Sequence, residues 1–182
     1  MAHAVFSTNS EIQKRIASSI TNVDLHDISR LAKAYGVKLF FVVTPLKDQQ
    51  RFAERILRHW IKGFGASYNP YRKDAIELVT IAPSLEESLE KIVEMEGEKP
   101  LLIATAASNQ AERSIQYSSA KGIIDSDRPV FLIFGTAWGL DRSVIHQADY
   151  VLDPIKGRTD YNHLSVRSAA AIILDRLIDN DP

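Results

Sequence analysis

Short apolar runs alternate with stretches in which apolar residues recur every three or four positions. Val130–Phe134 is an unbroken apolar run of five. A run that short, rich in Val, Ile and Phe, predicts a strand buried on both faces. It stops at Gly135, and Gly139 follows four residues later. Lys38–Val43, Leu101–Ala104 and Tyr150–Leu152 read as further strands. Ile76–Ile81 alternates like one, and Ala2–Phe6 and Ile16–Ile20 are two more candidates. Leu25, Ile28, Leu31 and Ala32 share one face of a helix over Asp24–Tyr35, with Gly36 as its C-cap. Phe52, Ala53, Ile56, Leu57 and Trp60 predict a second helix from Leu46 to Lys62. Ser84 with Glu87 three residues on forms a capping box for a third. A short helix over Ser114–Lys121 and a long one over Leu164–Ile178 complete the set. Gly63–Lys73, with two glycines and a proline, reads as a loop. This alternation of strand and helix predicts a single α/β domain, residues 1–182, on a mainly parallel sheet flanked by helices.

The last helix is unusually apolar. Ten of its fifteen positions, Leu164 to Ile178, are apolar, too many for one stripe. Such a helix is covered on most sides, either inside the fold or by a second copy of the chain. A homodimer is therefore one expectation.

Composition narrows the function classes. The chain has 182 residues, 45% of them hydrophobic and 25% charged, as in ordinary globular domains. No apolar run approaches the ~20 residues that span a bilayer, so no membrane association is expected. The first residues, MAHAVFSTNSE, lack the apolar core of a secretory signal. The absence of cysteine excludes disulfides and thiolate metal sites and fits a cytoplasmic location. Five histidines without ligand spacing give no zinc pattern, and no metal is expected. The formal net charge of −1 makes the whole molecule a poor nucleic-acid binder, but Arg51–Lys73 is locally basic. There Arg51, Arg55, Arg58, Lys62, Arg72 and Lys73 face one acid, Glu54; six minus one gives +5. Phosphate-binding cations among Tyr68, Asn69 and Tyr71 suit a single-stranded RNA surface, with Arg55, Arg58, Tyr68, Arg72 and Lys73 as its candidates. A solvated helix face is the alternative.

Three polar or glycine-rich turns follow strands: Thr105-Ala106-Ala107, Gly135–Leu140 and Asp153–Ser165 (DPIKGRTDYNHLS). None is a phosphate cradle, since neither GxGxxG nor GxxxxGK[ST] occurs. Glycine after the Val130–Phe134 run permits close approach of backbone to a ligand, and ligands of open α/β sheets sit beyond the carboxyl ends of strands.

Taken in order, the chain resembles the SPOUT, or α/β-knot, RNA methyltransferases. ITNVDLHDISRLAKAYGV is similar to their first motif, an arginine-bearing helix ending in aromatic-Gly-Val. FLIFGTAWGL is similar to the second, and DYNHLSVRSAAAIILDRL to the third, a polar loop feeding an alanine-rich helix. The TPL, YNP, FGT-WGL and DYNHLSVRSA signatures point to the stand-alone branch of predicted S-adenosylmethionine (SAM)-dependent RNA methyltransferases. The resemblance covers nearly the whole chain.

It implies a carboxyl-terminal deep trefoil knot threaded through a loop around Phe134–Leu140, with SAM as the cofactor, RNA as the substrate and a homodimer as the assembly. The cofactor residues would be Thr105, Ala106, Phe134, Gly135, Thr136, Gly139, Leu140, Ile155, His163 and Leu164. Ile155 and Leu164 would serve as aliphatic walls; the backbones of Thr105, Phe134, Gly135 and Ile155 would donate and accept hydrogen bonds. Arg30 would bind RNA phosphate or help activate the acceptor, and Asp160 would accept its proton. As structural alternatives, Arg30 would pair with Asp27, Asp160 would belong to a turn, and His163 would cap the final helix. Trp138 reads as a core indole rather than a cofactor wall. The chain departs from the family pattern in three places. Thr136-Ala137 replaces Asn-Glu, Asn162-His163-Leu164-Ser165 replaces Leu-Asn-Val-Ser, and Asp24 stands where an asparagine precedes the arginine. That Asp24 carboxylate would hold the Arg30 guanidinium. A non-catalytic SAM- or RNA-binding module of the same fold and an unknotted flavodoxin-like small-molecule binder are the rival readings.

Overall fold

A computed structural model describes residues 2–7 (backbone), 19–108, 113–159 and 161–178. Seven strands form one sheet: β1 (Ala2–Ser7), β2 (Phe40–Val43), β3 (Val79–Ala82), β4 (Leu101–Thr105), β5 (Ser114–Ile115), β6 (Val130–Gly135) and β7 (Tyr150–Leu152). Their order is β3-β2-β1-β6-β4-β7-β5, and every pairing is parallel.

Successive strand residues belong to opposite sides of the sheet. Phe40, Val42, Val130, Leu132 and Phe134 face a cluster with α1 (Asn22–Ala34), α2 (Lys47–Ile61), α6 (Tyr117–Ile124) and α8 (Val166–Ile178). Phe41, Val43, Phe131 and Ile133 face the other, against α5 (Leu85–Glu96) and α7 (Arg142–Gln147). The five apolar side chains of β6 are at most 1% exposed. Burial on that scale contributes on the order of 10 kcal/mol before the entropy of ordering. The expected doubly covered central strand is therefore present, with β1 and β4 as its neighbours.

Four expectations need correcting. Of the strand expected over Ile76–Ile81, Ile76 is still helical and the strand begins at Val79. Gly63–Lys73 is not a loop: it holds α3 (Phe64–Tyr68) and α4 (Pro70–Ile76). Asn69 caps α4 by accepting a bond from the Arg72 amide at 3.0 Å, and Pro70 occupies a first-turn position where its missing N–H costs nothing. The helix expected over Ser114–Lys121 divides into β5 and α6, because Ser114 and Ile115 pair with Val151 and Leu152. The helix α7 carries too little apolar periodicity to be predicted. Of the Ile16–Ile20 candidate, residues 16–18 lie outside the described residues, and 19–20 are not strand.

Part of the apolar excess of α8 finds its cover inside the chain. Ala170, Ile173, Leu174 and Leu177 are buried, and Val166 and Ile178 pack against the same cluster, which includes α1 and α6. Leu164 stays 43% exposed, and Ala169, Ala171 and Ile172 are half-buried.

Candidate functional site

The chain runs β1-β2-β3 outward on one side, then crosses to β4, and β6 inserts between β1 and β4. Crevices for ligands form beyond the carboxyl ends of strands where such an order reverses. The three turns singled out in the sequence all leave the sheet at that edge. Thr105 pairs with Leu152, and Gly135 pairs with Ser7. The Thr105 hydroxyl donates to the Ile133 carbonyl at 3.0 Å, fastening the end of β4 to β6. The Asn162 amide donates to the Ala107 carbonyl at 2.6 Å, fastening the third loop to the first. Thr105, Ala106, Gly135, Thr136, Gly139 and Ile155 are partly accessible. Phe134 and Leu140 are buried in the core, so only their backbones are on offer. Leu164 and His163 are exposed. Ser165, not His163, caps α8: its hydroxyl accepts from the Ser168 amide at 3.3 Å. The His163 ring instead meets the edge of Tyr161, with centroids 5.7 Å apart. Asp160 lies outside the described residues.

The glycine loop closes on itself. The Gly139 amide donates to the Thr136 carbonyl at 3.0 Å, and Ala137 and Gly139 adopt φ of 51° and 90°. A Cβ at Gly135 would stand 2.4 Å from the Gly139 carbonyl carbon and 2.5 Å from the Leu140 nitrogen. The loop's own backbone therefore already requires glycine at 135. The turn also pushes Trp138 outward; at 79% exposure it is not a core indole.

A narrow cleft joins the three motif segments. Asp24 of the first, Thr136 of the second and Val166 of the third line it together, beside Thr21 and Val43. Arg167, which the sequence reading missed, holds this corner. It donates to Asp24 at 2.7 Å and lies 3.4 Å from Asp27, and its pKa is raised chiefly by the hydrogen bond it gives to Asp24. Asp24 and Asp27 are thus partners of Arg167, not of Arg30. Two carboxylates three apart on one helix face, with an arginine in the third motif, were the available signal. Arg30 itself is exposed on α1 and makes no ion pair among the described residues.

The RNA candidates lie on α2, α3 and α4. Arg55, Arg58, Tyr68 and Tyr71 are exposed. Arg72 is not available in the same way: its guanidinium sits 4.7 Å over the Trp60 ring, and its Nε is buried. Lys73 lies 3.5 Å from Glu77, a solvent-facing pair of little energetic weight. His26 packs edge-on to Trp60 at 5.2 Å. Burial, then Arg72, lowers its pKa below the ordinary 6.5; Arg30 adds to this, and Asp27 opposes it. The unfolded chain therefore takes up this proton first, and the contribution of neutral His26 is present above pH 6.5 and lost as pH falls below it. Thermal melts from about pH 7.5 to about pH 5.5 should show His26→Phe losing less stability on acidification than the parent. Parallel losses would show that His26 does not titrate between the two states.

Among the described residues no helix is long and apolar enough to cross a membrane, and no cluster of His, Asp or Glu could hold a metal. Thr105-Ala106-Ala107 and Gly135–Leu140 carry no charged side chain, and these alcohols, glycines and apolar residues fit an adenosyl group better than a polyphosphate.

Comparison with known proteins agrees. The profile of a family described as SAM-dependent RNA methyltransferase matches residues 3–179. A tRNA (guanine-N(1)-)-methyltransferase of Oleidesulfovibrio alaskensis is 41% identical over 165 residues, covering 91% of this chain but only 38% of that protein. The chain thus spans little more than a third of that relative's length. An uncharacterized protein of Aquifex aeolicus is 38% identical over 169 residues, covering 92% of this chain and 82% of its own length. The SpoU methyltransferase AviRb of Streptomyces viridochromogenes, solved with AdoMet, shares the fold at a TM-score of 0.54 and 18% identity, over 98% of this chain and 59% of that one. With the family profile spanning nearly its whole length, and with the three motif segments meeting at one cleft, the chain belongs to the SAM-dependent RNA methyltransferases.

Proposed function

We propose that this chain, as a single domain over residues 1–182, binds SAM in the loops beyond β4, β6 and β7 and methylates an RNA nitrogen or ribose oxygen. The observation that carries the reading is the cleft where Asp24, Thr136 and Val166 meet. Thr105, Ala106, Phe134, Gly135, Thr136, Gly139, Leu140, Ile155, His163 and Leu164 form the cofactor site, Phe134 and Leu140 through backbone groups alone. Bound there, SAM supplies an electrophilic methyl group. Asp160 takes the proton that the acceptor atom gives up, and Arg30 holds RNA phosphate beside the cleft. Positioning of the acceptor is the protein's main contribution.

The carboxyl-terminal segment is threaded as a deep trefoil knot. In support, β7 pairs on the far side of β4 from β6, and α8 then returns to pack on α1. The working form is a cytoplasmic homodimer, with tRNA or rRNA as the acceptor. The methylated base is to be read from the RNA, because the relative named for guanine-N1 chemistry is far longer than the matched segment.

The test is methyl transfer from labelled SAM to bulk tRNA and rRNA from cells lacking the protein, with the product nucleoside identified by mass spectrometry. Label in one RNA class is the expected result. SAM binding without transfer to either class would make the chain a non-catalytic module. Arg55 and Arg58 should carry much of the RNA affinity. With one phosphate each, replacing both by Ala should weaken binding and shrink the slope of log affinity against log salt by about 1.4. An unchanged slope would mean that the face is only solvated.

A further inference from the structure

A second hollow is lined by Asn22 of α1, whose neighbours Thr21 and Asp24 line the cleft. It has a volume of about 520 Å³ and is lined by Asn22, Phe52, Arg55, Ile56, His59 and Trp60. Four of these, Phe52, Arg55, Ile56 and His59, fall at i, i+3, i+4 and i+7 of α2 and so share a face. Asn22 opposes them from the start of α1.

The aromatic floor is built, not incidental. Trp60 is edge-on to His26 at 5.2 Å and to His59 at 5.1 Å, and Arg72 covers it at 4.7 Å. Gly65 presses on the same indole so closely that a Cβ there would stand 2.6 Å from the ring. The segment before α1 is fixed as well, since the Ile20 amide donates to the Gln49 side chain at 2.7 Å. Phe52, by contrast, leaves 43% of its surface in water and contributes little to the core.

We propose that this hollow is a nucleobase subsite for one unpaired nucleotide of the RNA substrate. The base lies against the Phe52 ring over the Trp60 floor. The Asn22 amide, which both donates and accepts, reads the base edge, and Arg55 meets the phosphate. The residues Ser19, Ile20, Thr21 and Asp24 wall the cleft that reaches Thr136, while Asn22 faces the hollow. The nucleotide held here is therefore a neighbour of the one methylated, and the hollow sets sequence context. This rests on the reading of RNA as substrate. A second copy of the chain is the poorer occupant, because two-fold pairing of this face sets one +5 segment against another.

Trp60 is packed too tightly for its removal to be informative, so Phe52→Ala and Asn22→Ala are the variants of choice. In a Trp138→Phe background the remaining tryptophan, Trp60, reports on the hollow. A short single-stranded RNA of mixed sequence, and separately the four ribonucleoside 5′-monophosphates, should change its emission. Each variant should weaken RNA binding by about tenfold, the scale of one lost base–aromatic contact. Asn22→Ala should also reduce the difference in affinity among the four nucleotides. SAM binding, followed by calorimetry, should match the parent in both. Unchanged Trp60 emission while filter binding detects RNA with an Arg55- and Arg58-dependent salt slope overturns the subsite but leaves the RNA surface standing. Parental RNA affinity in both variants overturns it too, as does conversion of a dimer to a monomer by Phe52→Ala in sedimentation. Failure of the parent to bind any RNA removes the subsite and the RNA surface together.

Discussion

Gly135→Val is expected to abolish SAM binding and to lower the melting temperature by roughly 6–12 °C, the shift that a loss of about 3 kcal/mol gives in a chain of this size. The effect comes from the loop, not from a blocked ligand path. Any side chain at 135 drives its Cβ to 2.4 Å from Gly139 and 2.5 Å from Leu140, and both contacts are backbone, which cannot rotate away. Gly135→Ala should therefore carry most of the same penalty, whereas a blocked cofactor path would spare Ala and punish only Val. Gly139→Ala separates the two mechanisms further. Open space surrounds that position, but its φ of 90° disfavours any L side chain. A smaller loss, about 1–2 kcal/mol, is expected there. Parental stability for Gly135→Ala, measured by denaturant titration, would refute this account of the loop.

The contrast between these two glycines shows what the sequence could and could not disclose. Gly135 stood out because it ended an apolar run, and that periodicity located β6 and the edge of the site correctly. Its reason for being glycine was invisible, because the atoms it must avoid lie four and five residues on, in a turn whose φ angles no pattern records. Local signals read well wherever neighbouring residues decide the structure. Ser84 at the start of α5 and Gly36, at φ 66° just after α1, are such cases. Signals failed where a distant segment decides. Ser114 and Ile115 become strand because β7 offers an edge to pair with. Trp138 reads as core from its apolarity, but the turn around it faces water. Arg72 reads as a phosphate contact from charge alone, yet Trp60, twelve residues earlier, claims its guanidinium. Most tellingly, the partner of Asp24 is Arg167, 143 residues away, and not the Arg30 on its own helix. The three motif segments were legible one by one; their junction at the cleft follows only from the order of the strands.

That junction separates the roles of two arginines, and replacing each gives a different expected result. Arg30→Ala should leave folding and SAM affinity at parental values, because the side chain is exposed and has no ion-pair partner among the described residues. Its methyl transfer to RNA should nevertheless fall by about a hundredfold, equivalent to about 2.7 kcal/mol in the barrier. Asp160→Asn should behave alike, since an amide matches the carboxylate in size but cannot take up the acceptor's proton. Arg167→Ala should not. It leaves Asp24 and Asp27 facing each other on α1 and frees the start of α8 from that helix. Cofactor affinity, stability and transfer should therefore decline together. Single-turnover kinetics at saturating SAM, with affinity measured separately by calorimetry, resolves the three variants. If Arg30→Ala and Asp160→Asn both transfer methyl at the parental rate, neither residue acts on the acceptor, and the proton must leave by another group at the cleft. If Arg30→Ala instead loses SAM affinity in step with rate, the arginine belongs to the cofactor site, and the separation between the two faces of α1 is wrong.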